Sequence, residues 1–216
     1  MSSYSQKNDV YPKMKLEIGA GYEYANLNSF NEAHIIPVGY GRFLDDLHSG
    51  WSVNLRAPLQ FSSAIELSLL MNYRHFRMKD RTDLESTVAA PFTTQLNIAE
   101  VYAFEGGLQS TVYLDQLWGS EDTRAFNIGV FGSGAFVFAK LRTIVLRDGD
   151  YKWGTFTLDR IPHWNATFGM ALRYRLHDSY FNSIVLNSGL TYSTAGKEHD
   201  VDLNGFFTRV FIGLGR

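Results

Sequence analysis

The chain has no cysteine among its 216 residues, so neither a disulfide framework nor a thiolate metal site can be drawn from it. It also lacks any apolar run approaching the eighteen or so residues that a membrane-crossing helix needs. A membrane location would then require a closed barrel, the other structure that satisfies its own backbone in lipid. Charge is scarce and balanced: 19% of residues are charged, 20 Lys and Arg against 22 Asp and Glu, for a net charge of −2. That balance leaves no basic footprint, and nucleic acid is excluded as a partner. Residues 1–10 are polar and lack the apolar stretch of a secretory signal, so either the chain is a mature form with an added start Met or an export reading fails. No linker or charge block divides the sequence. A polar lead at 1–13 and one domain over 14–216 are expected.

What is present favours strands. The chain holds 16 Phe, 12 Tyr, 4 Trp and 19 Gly, and 45% of its residues are hydrophobic. The mean hydropathy of −0.16 does not oppose a membrane reading, because a barrel strand gives half its residues to a polar interior.

The clearest pattern lies at 166–176. Ala166, Phe168, Met170, Leu172, Tyr174 and Leu176 alternate with Thr167, Gly169, Ala171, Arg173 and Arg175. Successive side chains of a strand point to opposite faces, so one face is greasy and the other small and cationic. The same division recurs in Leu16, Ile18, Ala20, Tyr22 and Tyr24 against Glu17, Gly19, Gly21 and Glu23, and in Ile65, Leu67, Leu69, Met71 and Tyr73 against Glu66, Ser68, Asn72 and Arg74. It returns in Phe126, Ile128, Val130, Phe136 and Phe138, and in Phe206, Val210, Ile212 and Leu214 facing away from Arg209. Segments of about ten alternating residues with aromatics near their ends predict an all-β, closed antiparallel transmembrane barrel.

Strands are expected near 14–25, 34–44, 64–78, 94–117, 124–146, 151–161 (resuming at 165), 183–193 and 204–214. Residues 51–60 form either a further hairpin member or a long turn, so the count is about eight, with ten as the alternative. Short turns at Asp45, Trp118 and His177 alternate with longer loops at Asn26, Lys79, Arg147 and Ala195, as in an up-and-down meander with short periplasmic turns. Three consecutive strands between Thr94 and Asn165 overshoot the nine to eleven or so residues that cross a bilayer.

With its alternating Phe206, Val210, Ile212 and Leu214 in the final strand, the chain resembles the small bacterial outer-membrane β-barrel proteins, the group of the OmpA transmembrane domain and the OmpX-like and OmpW-like proteins. The resemblance spans 14–216, and the chain departs from the group's usual aromatic end by stopping at Gly215-Arg216. It implies a Gram-negative outer-membrane location, contact with outer-membrane lipids and a monomeric barrel.

Two sets of residues are candidates for function. Glu17, Glu23, Glu66, Glu105, Arg74, Arg173, Arg175 and Arg209 share the inward parity and form a lumen charge network. Paired, they plug the bore; unpaired, the arginines would line a porin-like channel for small anionic solutes. Thr143, Val145, Tyr151, Trp153, Thr155 and Thr157 mark an extended outer rim that could bind another envelope or surface protein.

No catalytic residue, metal site or cofactor is assigned. His34, His48, His75, His163, His177 and His199 show no ligand spacing, and His163-Trp164 reads as an interfacial anchor. There is no Gly-x-Ser-x-Gly elbow, and Gly39-Tyr40-Gly41 and Gly132-Ser133-Gly134 are strand glycines rather than phosphate loops. The expected role is structural or partner-binding and non-enzymatic. A solute channel, a membrane-embedded lipid-modifying enzyme and a soluble all-β ligand-binding protein are the alternatives.

Overall fold

The structure, a computed structural model, describes residues 13–27, 49–83, 94–117, 125–147, 156–157, 161–176, 180–194 and 203–214. Eight long strands carry the fold: β1 Leu16–Ala25, β2 Ser49–Gln60, β3 Ile65–Asp83, β4 Thr94–Tyr113, β5 Phe126–Arg147, β6 Ile161–Arg175, β7 Phe181–Ser193 and β8 Gly205–Leu214. Each pairs antiparallel with its sequence neighbour, and β8 returns to β1 along the register Gly205↔Ala25 to Leu214↔Leu16. The ring has no open edge within the band that all eight strands share, as a structure in lipid requires. An eight-stranded barrel has an interior just wide enough for side chains to fill.

The exterior is apolar. Ile128, Phe168, Leu172 and Val210 are exposed on it, not packed against a second sheet, which removes the soluble alternative. Two aromatic belts bound this surface. Tyr24 stacks with Phe206, Trp51 meets His75 edge-on, and Phe136 meets Trp164 edge-on toward the long-loop end. Phe126, Tyr174, Tyr180 and Phe181 lie toward the short-turn end. On β5, Phe126 to Phe138 spans about 40 Å along the strand, hence about 30 Å of height at a tilt near 40°. That matches a bilayer core.

The structure corrects the strand list. Residues 51–60 belong to a full barrel strand, β2, and the ten-stranded alternative fails. The expected strand at 34–44 lies outside the described residues, as does the turn at Asp45 through His48; a short turn at 61–64 joins β2 to β3. Pro58 does not end β2. It sits opposite Lys15, whose N–H donates to the Pro58 carbonyl at 3.0 Å. Proline has no N–H to return that bond, so the ladder is interrupted for one residue and resumes at Lys13↔Gln60 and Met14↔Leu59. Lys13 is therefore paired with β2, while residues 1–12 of the expected lead lie outside the described residues.

Pro162 likewise lies inside β6, paired with Phe138, so 161–175 is continuous. Strand β4 stops at Tyr113, and Leu114–Leu117 forms a short helical turn, α1.

Among the described residues, the overshoot is carried by β3, β4 and β5, with 156–157 paired to the outer part of β5. Residues 79–83, expected in a loop, pair with 94–98 of β4. Lys79-Asp80-Arg81-Thr82-Asp83 has no apolar residue, and so it carries no alternation to read.

Candidate functional site in the bore

Bore-facing positions gather charge into two layers. Toward the short-turn end, β1 supplies Glu17, β2 Arg56, β3 Glu66 and β6 Arg173. Arg56 Nε donates to Glu17 at 2.7 Å, and its Nη2 also bonds the same carboxylate. Arg173 Nη2 lies 2.5 Å from Glu66 and 3.4 Å from Glu17, and Arg56 lies 3.6 Å from Glu66. Four strands are thus tied across the bore by two cations and two anions.

The second layer, nearer the long loops, repeats the scheme. Arg209 of β8 donates from Nε to Glu23 of β1 at 2.7 Å, and Arg74 of β3 reaches Glu23 at 3.2 Å and Glu105 of β4 at 2.8 Å. The amides of Asn72 and Asn165 also donate to Glu105, at 3.0 and 2.8 Å.

All eight of these side chains are buried. Each arginine also lies over a ring: Arg56 over Phe211 at 5.0 Å, Arg74 over Phe76 at 5.4 Å, Arg173 over Tyr113 at 4.6 Å and Arg209 over Phe207 at 4.2 Å. A carboxylate at one edge of the guanidinium and an aromatic face below it satisfy both kinds of contact that a planar cation offers. Several buried polar atoms, among them Asn54 Oδ1, Arg56 Nη1 and Asn187 Oδ1, have no hydrogen-bond partner among the described residues.

The bore is not polar throughout. Beyond the upper layer, Ala25, Leu27, Phe76, Val101, Val137, Ala139 and Leu203 are buried at inward positions. Between the layers, Phe131, Ala171 and Phe207 cluster, with the two rings 6.1 Å apart. These apolar side chains keep the inward parity and lie toward the long-loop mouth.

Of the residues expected in the lumen, Glu17, Glu66 and Arg173 come together in one layer and Glu23, Arg74, Glu105 and Arg209 in the other. Arg175 keeps the inward parity at the end of β6 but is only half-buried, at the short-turn mouth. Arg56 was missed. Its signal was the alternation Ser52, Asn54, Arg56, discounted because the strand itself was in doubt.

Of His163-Trp164, expected as an interfacial anchor, His163 faces the bore and is buried, whereas Trp164 is exposed on the outer belt. Among the rim residues, Thr143 pairs with Phe156 and Thr157 with Arg142 in a short two-residue bridge, and Val145 pairs with Asn97. Tyr151, Trp153 and Thr155 lie outside the described residues, as do His34, His48, His177, His199 and Gly39 to Gly41. Among the described residues, no group of His, Asp and Glu is arranged to hold a metal ion.

No protein-family model matches the sequence, and none of the curated proteins is similar to it. Among solved structures, the chain is similar to Ail, the attachment invasion locus protein of Yersinia pestis. One crystal structure of Ail, in complex with the heparin analogue sucrose octasulfate, aligns at 10% identity with a TM-score of 0.45, covering 95% of this chain and 98% of that one. A second crystal structure of Ail aligns at 12% identity with a TM-score of 0.43 and the same coverage. At these identities the likeness is one of chain layout.

Proposed function

We propose that the chain is a monomeric outer-membrane barrel with a plugged bore, whose work is done by the wall that β3, β4 and β5 raise beyond the lipid. The observation that carries this reading is the pair of charge-balanced layers, two arginines and two glutamates each, buried across the full width of the bore. A solute would have to part several ion pairs at once, then pass the apolar layer at the mouth. A closed meander with alternating short and long connections is the form that crosses bacterial outer membranes, and it sets the long loops and the raised wall outside.

The wall suits a protein partner. Pairing between β2 and β3 ends at Gly50↔Phe76, so among the described residues 77–83 have no strand on the side away from β4. An exposed edge can accept an extended segment of another envelope or surface protein, and its sequence, rich in Arg, Lys and Asp, guards against indiscriminate pairing. The role is structural and binding, not enzymatic.

Planar-bilayer recording tests the plug. The purified barrel should insert without reproducible single-channel steps. Steps that change in size or selectivity when Arg173 or Arg209 is replaced would favour the channel reading and sink the plug.

A further inference from the structure

The charge layer nearer the short turns holds more cation than its carboxylates can pair. Arg56 and Arg173 already balance Glu17 and Glu66. Lys15 precedes Glu17 by two residues on the same inward parity, and the register of the ladder with β2 is unbroken between them. It is partly buried, and Glu17, Glu66 and Arg173 all act on its charge, so it stands beside this layer. Arg175, at the same mouth, acts on it with the same sign as Arg173. Among the described residues, no carboxylate comes within ion-pair distance of the Lys15 ammonium.

Hydrogen-bond donors are in surplus as well. All four carboxylate oxygens are engaged: those of Glu17 by Arg56 and Arg173, those of Glu66 by Arg173 and by the Ser68 hydroxyl, which donates at 3.3 Å. Arg56 Nη1, Arg173 Nε and the Tyr113 hydroxyl are left over, each buried and without a hydrogen-bond partner among the described residues. These three side chains converge. Both arginines reach both glutamates, and the Tyr113 ring lies 4.6 Å under Arg173 with its hydroxyl in electrostatic reach of Arg56, Glu17 and Glu66. The upper layer differs, because it adds the neutral amides of Asn72 and Asn165 to its two arginines and two glutamates.

We propose that the lower layer binds a small monovalent anion of halide size, held by Lys15 and by the unpartnered donors Arg56 Nη1, Arg173 Nε and the Tyr113 hydroxyl. Burying donors without an acceptor is costly, and so is leaving a partly buried cation without a counter-charge. Water answers the first need but not the second; an anion answers both. The bore of an eight-stranded barrel is only wide enough for its side chains, so it admits a monatomic ion and not a phosphate ester or a sugar. Lys15 keeps some exposure at the short-turn mouth, which gives the ion its way in. The site rests on this layer alone and stands whether or not the bore conducts.

Two measurements on the whole chain test it. In crystals exchanged into sodium bromide, anomalous diffraction should show a bromide ion beside Lys15 and the Tyr113 hydroxyl, and Lys15→Met should remove it. In micelles, urea unfolding is followed as sodium gluconate is replaced stepwise by sodium chloride at constant ionic strength. The wild-type midpoint should rise with chloride, as it does for any ligand that binds only the folded state. Lys15→Met should shift that dependence to about tenfold higher chloride, the worth of one charge-assisted hydrogen bond. Tyr113→Phe should shift it about fivefold, the worth of one uncharged donor. Lys140→Met, exposed on the outer face, should behave as the wild type and separates the site from general surface charge. Lys15 belongs to none of the buried ion pairs, so its replacement leaves the barrel folded. Water alone in the lower layer, a bromide peak as strong in Lys15→Met as in the wild type, or a urea midpoint indifferent to chloride overturns the proposal.

Discussion

The two faces of the barrel wall use the same residue types to different ends. On β3, Arg74 points into the bore and meets Glu105 at 2.8 Å with almost no exposure of either side chain, whereas Arg77, three residues on, meets Glu100 at 3.3 Å on the outside and remains half in solvent. Glycine divides in the same way. A Cβ added at bore-facing Gly169 would fall 2.2 Å from the Ser188 carbonyl oxygen, while one added at outward Gly134 would meet nothing within 4 Å. Parity along a strand therefore decides whether a charge is obligatory or optional, and whether a missing side chain is a packing requirement or merely a gap in the lipid-facing surface.

The contrast is broken most severely by Arg173→Met. That change leaves the two buried carboxylates of the layer, Glu66 and Glu17, to share Arg56, one cation short of balance. Stranding a buried carboxylate costs about 3–5 kcal/mol, measured as the loss of unfolding free energy in urea with the barrel in micelles. Adding Glu66→Leu to the same chain should recover much of that loss, because the apolar pair has no charge left to desolvate. Gly169→Val comes next, at roughly 1–3 kcal/mol, since backbone, not a flexible side-chain end, stands in the way. Gly134→Val, on the outer face of β5, should stay within about 0.5 kcal/mol. Arg77→Ala should cost no more than about 1 kcal/mol of folding stability, as exposed ion pairs do. Equal losses at Arg173 and Arg77, or at Gly169 and Gly134, would erase the distinction between the faces.

Most of the wall could be read from the sequence because lipid on one side and a filled bore on the other impose a two-residue period. Leu16 to Tyr24, Ile65 to Tyr73 and Phe206 to Leu214 all show it, and all are barrel strands. The failures fall where that period weakens. At 79–83 the sequence Lys-Asp-Arg-Thr-Asp carries no apolar alternation, so the paired residues look like a loop. Pro58 and Pro162 suggest strand ends, but each costs only local pairing and the ladder continues beyond. Arg56 was lost with its strand. The two-layer division of the charges could not be seen at all, because it depends on how far each strand is staggered against its neighbours. That stagger brings Glu17 within reach of a side chain 156 residues away.

A third kind of carboxylate, outside both faces, sharpens the comparison with the smallest effect. Asp115 of α1 accepts hydrogen bonds from Ile128 N–H at 2.9 Å, Asn127 Nδ2 at 3.0 Å and Gln116 Nε2 at 3.2 Å, pinning the short turn to the start of β5. Partial burial disfavours its charge, but the donated hydrogen bonds outweigh that cost and hold its carboxyl below the ordinary range. Because the folded group titrates lower than the unfolded one, its stabilisation is complete above the ordinary carboxylate range and is lost as pH falls through the lowered folded value. Asp115→Asn should therefore lower stability by less than about 1 kcal/mol near neutrality, and the gap to wild type should close in acid. Urea midpoints of the two chains across that pH range measure it. A gap that persists unchanged in acid would mean that Asp115 acts through its shape and not its charge, and that a water-facing carboxylate at the turn is as insensitive to protonation as a neutral amide in its place.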